Sequence, residues 1–275
     1  MRVAAVQLNS TNDRERNLST AERLVRAACA DGAELVALPE KWNLLGGGAE
    51  LRAGAEPLDG PSLTAARAWA AELGIHLLAG SISERTEGKA FNTSVLIGPD
   101  GGDLAVYRKI HMFDVDAGGV SYRESEHEQP GTELVTAQLG ELTAGLTVCY
   151  DLRFPELYRI LALREARLIA VPSAFTSATG RDHWEVLLRA RAIENQVFVL
   201  APNQVGTAPP HYDSFGHSAI VDPWGTVLAL APDEECFIAA ELDLGAQERT
   251  RESLPSLANR RPSAYVWPQL LEMSV

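Results

Sequence analysis

The chain has 275 residues, 46% hydrophobic and 22% charged, a balance that lets it bury a sizeable core without metals or disulfides. Its 37 acidic against 24 basic residues give a formal net charge of −13 with no Lys/Arg-rich tract, which argues against a nucleic-acid or anionic-membrane surface. No apolar run reaches the length of a bilayer span, and Cys29, Cys149 and Cys236 are scattered without CxxC spacing, so they read as free thiols in a reducing, cytoplasmic setting.

Ala4, Val6 and Leu8 alternate as in a strand, which starts right after Met1 and leaves no room for a secretory leader. Leu18, Ala21, Leu24, Val25 and Ala28 recur at helical spacing, with Gly32 as the stop. Residues 34–39 read as a buried strand that delivers Glu40 at its end. A helix is predicted over 62–73 with Gly74 as its cap, then a strand over 75–80. Residues 91–97 and 103–107 flank Gly98-Pro99-Asp100-Gly101-Gly102, a hairpin signal.

The same order then returns. A strand is predicted over 142–149, a helix over 155–164 with Pro155 in its first turn, and a strand over 168–171. A helix over 182–195 and a strand over 197–201 follow, and strands over 218–221 and 226–230 flank Asp222-Pro223-Trp224-Gly225. Leu35-Val36-Ala37-Leu38-Pro39 is echoed by Leu168-Ile169-Ala170-Val171-Pro172. These repeats predict an α/β protein of two similar β/α halves fused into one domain over 1–275. Two sheets face to face with helices outside would make a four-layer α-β-β-α sandwich.

Three apolar strands end on a reactive residue: Leu38-Pro39-Glu40, Val106-Tyr107-Arg108-Lys109 and Thr147-Val148-Cys149-Tyr150. Sites in α/β sheets are built at the carboxyl ends of strands. A thiol, a carboxylate and an ammonium together suit acyl transfer from an amide. Cys149 would attack, Glu40 would carry the proton, and Lys109 with the Tyr150 N–H would hold the oxyanion. Glu40 alone would discourage a Cys149 thiolate and Lys109 would favour one. Taken singly, each also fits a bland role, a buried small thiol or a solvated charge.

The three segments together resemble the nitrilase superfamily of carbon–nitrogen hydrolases. The carrying residues are Leu38-Pro39-Glu40, Tyr107-Arg108-Lys109-Ile110-His111 and Cys149-Tyr150-Asp151-Leu152-Arg153-Phe154-Pro155-Glu156-Leu157. The resemblance implies an αββα fold with Glu40 as general base, Lys109 as oxyanion stabiliser and Cys149 as nucleophile. It also implies Glu124 as an additional active-site glutamate that positions Lys109 or the substrate; the alternative is a solvated loop charge. Pro172-Ser173-Ala174-Phe175, Thr179-Gly180 and the run from His183 to Asn195 are similar to the Nit branch, with its deaminated-glutathione amidases and ω-amidases. Val205 to Asp213 departs from both.

The substrate implied is a small α-keto acid amide, with water as co-reactant; deaminated glutathione is the first expectation and α-ketoglutaramate the alternative. Arg153 is the candidate grip for a substrate carboxylate, because guanidinium binds that group bidentately, and Phe175 and Thr179 are candidate pocket residues. The alternative for Arg153 is an ion pair with Glu156 or Asp151. A homodimer is the family default. No cofactor and no metal are expected: Gly46-Gly47-Gly48 lacks the context of a dinucleotide loop, and His183-Trp184-Glu185 would not share one helix face. His111, His127, His211 and His217 show no ligand spacing, and Glu194 is expected to hydrogen-bond within the fold. Competing readings are a true nitrilase, a papain-like protease with His217 as base, and a non-catalytic binding protein on the same scaffold. The intact Glu40, Lys109 and Cys149 argue against the last.

Overall fold

The computed structural model describes residues 1–210 and 212–265; His211 therefore lies outside the described residues. β1 (Arg2–Gln7) opens the chain with Val3, Ala4, Ala5 and Val6 fully buried. A strand covered on both faces needs apolar side chains on both, so its run is continuous. α1 (Arg14–Ala30) follows, capped by the Asp13 carboxylate accepting from the Arg16 N–H at 3.1 Å. Next come β2 (Leu35–Ala37), α2 (Gly48–Ala53), α3 (Pro61–Leu73), β3 (His76–Leu78), β4 (Ile82–Thr86), β5 (Lys89–Ile97) and β6 (Asp103–Arg108). β1, β2 and β3 are parallel; β5 lies antiparallel beside β3, and both β4 and β6 pair with β5.

A hairpin of β7 (Asp114–Ala117) and β8 (Val120–Arg123) leads into the second half. That half contains β9 (Thr136–Leu139), β10 (Leu142–Leu146), α4 (Pro155–Leu163), β11 (Leu168–Ala170), α5 (Ser177–Asn195) and β12 (Phe198–Ala201). The hairpin β13 (Val205–Ala208) and β14 (Tyr212–Phe215) precedes β15 (Ala219–Val221) and β16 (Val227–Leu230). β17 (Cys236–Glu241) returns to pair antiparallel with β1, and α6 (Leu244–Ser253) follows. β10, β11 and β12 are parallel, with β15 antiparallel to β12 and β16 to β15.

The two halves share one plan: β1, β2, β3, β5, β6 correspond to β10, β11, β12, β15, β16 in order and direction. Parallel neighbours cannot be joined by a tight turn, so each pair takes a helical crossover. The alternation along the strands sets the layers. Val3, Ala5, Leu35 and Ala37 cluster with Leu168, Ala170 and Val199 of the second sheet. The intervening Ala4, Val6, Val36 and Leu38 pack on Leu24 and Val25 of α1 and on Leu63 and Ala66 of α3. Leu161 of α4 and Trp184 and Leu188 of α5 cover the second sheet. The result is the expected α-β-β-α sandwich. Among the described residues, no helix is long and apolar enough to cross a membrane.

Some expectations change in detail. The helix predicted over 182–195 starts at Ser177, and Gly180 sits within it as a packing residue: a Cβ there would stand 2.4 Å from Phe215. The strand predicted over 142–149 ends at Leu146, and Cys149 begins a 3₁₀ turn, Cys149–Arg153. Cys29 and Cys236 are half-buried.

Gly80 fixes how β3 lies against the chain that carries Glu40. Its φ is +42°, and a Cβ would come within 1.9 Å of the Pro39 carbonyl oxygen. Gly80→Ala is expected to lower unfolding stability by at least about 1 kcal/mol, read as a lower urea midpoint. A variant with an unchanged midpoint would show that this contact carries no constraint.

Candidate active site

Glu40 stands three residues past β2, where the Ser81 N–H donates to the Pro39 carbonyl at 3.3 Å and the Gln204 amide donates to the Glu40 carbonyl at 2.9 Å. Lys109 follows β6, and its N–H donates to the Asn92 carbonyl of β5 at 2.8 Å. Cys149 is held by its own N–H, which donates to the Pro172 carbonyl at 2.9 Å, with φ at +47°. A non-glycine residue in that region is strained and persists only where its surroundings fix it. The fully buried Asp151 supplies the fixing: its carboxylate accepts from the Val148 N–H at 2.8 Å, the Tyr107 hydroxyl at 2.6 Å and His111 Nδ1 at 2.7 Å. It thus ties the Cys149 turn to the segment carrying Lys109.

These ends converge. Glu40 Oε1 accepts from Lys109 Nζ at 3.1 Å and from Asn92 Nδ2 at 2.7 Å, while Oε2 accepts from the Ala174 N–H at 2.8 Å. Glu124 accepts from Lys109 Nζ at 2.7 Å, from Asn92 Nδ2 at 2.9 Å and from the Phe113 N–H at 2.7 Å. Glu124 is therefore no solvated loop charge. Beside them, Lys41 Nζ donates to Ser83 Oγ at 2.8 Å and pairs with the buried Glu128 carboxylate.

Burial alone would push the Lys109 ammonium toward neutrality, but Glu124, Glu40 and Cys149 raise its pKa well above the usual lysine value. Burial and the Glu40 charge push the Cys149 thiol well up, against the pull of Lys109. Burial also raises the Glu124 carboxyl, yet Lys109 and Lys41 outweigh it and hold the group down at about 2. The ground state is thus a neutral thiol beside an ion-paired cluster.

A cavity of about 490 Å³ opens above this floor, reaching Glu40, Lys109 and Cys149 below and Tyr122, His127 and Tyr212 around it. Tyr150, Arg153, Phe175 and Thr179 do not line it. They meet instead around a second space of about 10 Å³ that touches Cys149 from another side. There the Arg153 guanidinium lies over the Phe175 ring at 5.1 Å and the Tyr150 ring at 5.8 Å, and donates to His183 Nδ1 at 3.1 Å. No ion pair of Arg153 with Glu156 or Asp151 forms among the described residues. The Tyr150 N–H lies in the first turn of its 3₁₀ helix, where an N–H has no partner within the helix.

Other candidates stand apart. Trp184 is buried and donates to the His217 carbonyl at 2.7 Å, while Glu185 pairs with Arg189 on the exposed face of α5. Glu194 accepts from Arg191 at 2.9 Å. Gly46, Gly47 and Gly48 border the large cavity ahead of α2. Sequence reasoning missed Asn92, Asp151 and the Lys41–Glu128 pair. The available signal for Asn92 was an amide side chain inside a predicted strand, where asparagine is depleted.

Residues 2–252 match the carbon-nitrogen hydrolase family. The chain belongs to the carbon-nitrogen hydrolases. It is 39% identical to a Mus musculus protein named omega-amidase NIT2 over 265 residues, 96% of either chain. Among solved structures it is similar to the C. elegans NitFhit protein, with a TM-score of 0.90 and 37% identity over 96% of this chain and 66% of that longer one. It is also similar to Saccharomyces cerevisiae Nit3, a member of branch 10 of the nitrilase superfamily, with a TM-score of 0.85 and 33% identity over 93% and 94% of the two chains.

In this hydrolase the depressed Glu124 pKa ties its ion pair to pH. A carboxyl whose folded value is about 2 against an ordinary 4.5 stabilises the fold fully above pH 4.5 and loses that contribution as pH falls toward 2. The stability gap between the parent and Glu124→Gln is therefore expected to be widest near neutrality and to close through that window. Urea unfolding at pH 7, 4.5 and 3 measures it; a gap that widens on acidification contradicts the assignment.

Proposed function

We propose that the protein hydrolyses the carbon–nitrogen bond of a small carboxamide through a thioester on Cys149. The observation that carries this reading is the meeting of Cys149, Glu40 and Lys109 at the floor of one cavity. Since the thiol is neutral at rest, attack needs a base, and Glu40 takes the Sγ proton as sulfur bonds to the amide carbon. The oxyanion so formed is met by the Lys109 ammonium and the Tyr150 N–H. Glu40 passes its proton to the leaving nitrogen, the C–N bond breaks, and the amine departs. Water then gives a proton to Glu40 and attacks the thioester; collapse of that adduct frees the acid, and the proton returns to sulfur. Glu124 keeps Lys109 charged and in place throughout.

The acyl part is an α-keto acid. Names of relatives such as the mouse omega-amidase NIT2 support a terminal carboxamide, as in α-ketoglutaramate, with ammonia as leaving group. A cavity of about 490 Å³ exceeds what that small molecule fills, which favours a second reading, a longer amide such as deaminated glutathione. Arg153 faces a water-sized space beside Cys149, room for a carboxylate oxygen of the acyl group, with Thr179 and Phe175 as neighbours. Residues 1–275 act as one domain on this reading. Exposed Ile160 and Leu163 on α4, Val186 and Ile193 on α5 and the nearby Trp224 support a homodimer, and the free thiols support a cytoplasmic location.

Cys149→Ala is expected to abolish ammonia release from α-ketoglutaramate and cleavage of deaminated glutathione, and Glu40→Gln to reduce kcat by a factor of about 10² or more. Full turnover by Cys149→Ala would rule out the thioester. Side-by-side kcat/KM values for the two substrates choose between the readings. Arg153→Ala is expected to raise KM about 10- to 100-fold for substrates with an α-carboxylate while leaving a neutral amide unaffected. Equal effects on both would remove Arg153 from the binding role.

A further inference from the structure

Asn92 lies on β5 behind both site carboxylates, fully buried and without a place in the wall of either cavity. Its Nδ2 donates to Glu40 Oε1 at 2.7 Å and to Glu124 Oε1 at 2.9 Å. Lys109 Nζ donates to the same two oxygens at 3.1 Å and 3.0 Å. Two acceptors and two donors thus alternate around a closed ring. Ionised carboxylates only accept, so only the NH₂ edge of Asn92 can face them both. Its Oδ1 has no partner among the described residues, a cost that the other edge must offset. The backbone carbonyl of the same residue accepts the Lys109 N–H at 2.8 Å. One residue therefore holds Lys109 by its main chain and both counter-charges by its side chain.

Two carboxylates that share a site repel each other, and without opposing charge one of them takes a proton. Lys109 between them and Lys41 beside Glu124 oppose this, and donors aimed at the charged forms add to it. A second cation in the place of Asn92 would also do so, but it would hold Glu40 ionised too firmly to accept a proton. A neutral amide leaves that acceptance open. We propose that Asn92 is a positioning residue that keeps Glu40 and Glu124 ionised together and Glu40 directed at Cys149. The proposal rests on the reading of Glu40 as the base.

The test is the pH dependence of kcat and kcat/KM on one amide for the parent, Asn92→Ala and Asn92→Asp. Asn92→Ala is expected to lower kcat about 10- to 100-fold with KM within about threefold, since Asn92 does not reach the cavity. Its acid limb should move to higher pH by about one unit. Asn92→Asp adds a third negative charge to the ring and should move that limb further. Acid limbs that superpose on the parent's overturn the proposal, as does a rise in KM with kcat unchanged. Circular dichroism and thermal unfolding check folding; should Asn92→Ala not fold, Asn92→Ser, whose hydroxyl can serve only one carboxylate, is read in the same way. Cys149→Ala and Glu40→Gln run alongside. Turnover by those two at the parental rate defeats the base reading itself, whereas their inactivity with an unmoved acid limb in the Asn92 variants defeats the Asn92 proposal alone.

Discussion

Burying the Lys109 ammonium takes it out of water at a penalty on the order of several kcal/mol unless opposite charge replaces the hydration. Glu40 at 3.1 Å and Glu124 at 2.7 Å supply that charge. Glu40 is buried and Glu124 half-buried, and both must be hydrogen-bonded in turn, which draws in Asn92 and the Ala174 and Phe113 amides. The network reaches β5, β6, the end of β2, the end of β8 and the segment after β11. Each of these elements must therefore be in place before Lys109 can be buried, and the site is as rigid as the sandwich that supports it.

The Cys149 thiol is held on the same terms. Cys149 keeps a positive φ between a hydrogen bond to Pro172 and the Asp151 carboxylate below it. Asp151 also takes the Tyr107 hydroxyl and the His111 ring, so the turn bearing the thiol and the segment bearing the ammonium are fastened to one point. The barrier to thiolate formation is electrostatic: burial and the facing Glu40 carboxylate keep the sulfur protonated.

Strand ends were legible in the sequence because Glu40, Lys109 and Cys149 each close an apolar run, and the repeat of Leu35–Pro39 in Leu168–Pro172 pointed to two halves in a layered fold. The cavity walls were not legible. β8 and α2, which line the cavity, span only four and six residues, too few for a pattern to stand out from the surrounding loops. Asn92 was hidden for a different reason: its contacts lie 52 and 32 positions away, and only the pairing of strands brings them together. The place of Gly180 is set by the Phe215 ring, a contact from another element that the sequence does not display. Arg153, Tyr150, Phe175 and Thr179 were named as pocket residues, and the volume they enclose is the lesser of the two beside Cys149.

The duplicated plan puts Glu40 one residue after Pro39 and Ala174 two residues after Pro172, at matching strand ends. From one half comes a carboxylate; from the other comes the amide that steadies it at 2.8 Å. The first half holds the acid and the ammonium, and the second holds the thiol. Neither half alone carries the acid, the ammonium and the thiol. Matching strand ends thus bring different groups to one place, and on the proposed reading the chemistry belongs to the seam where the two sheets end side by side.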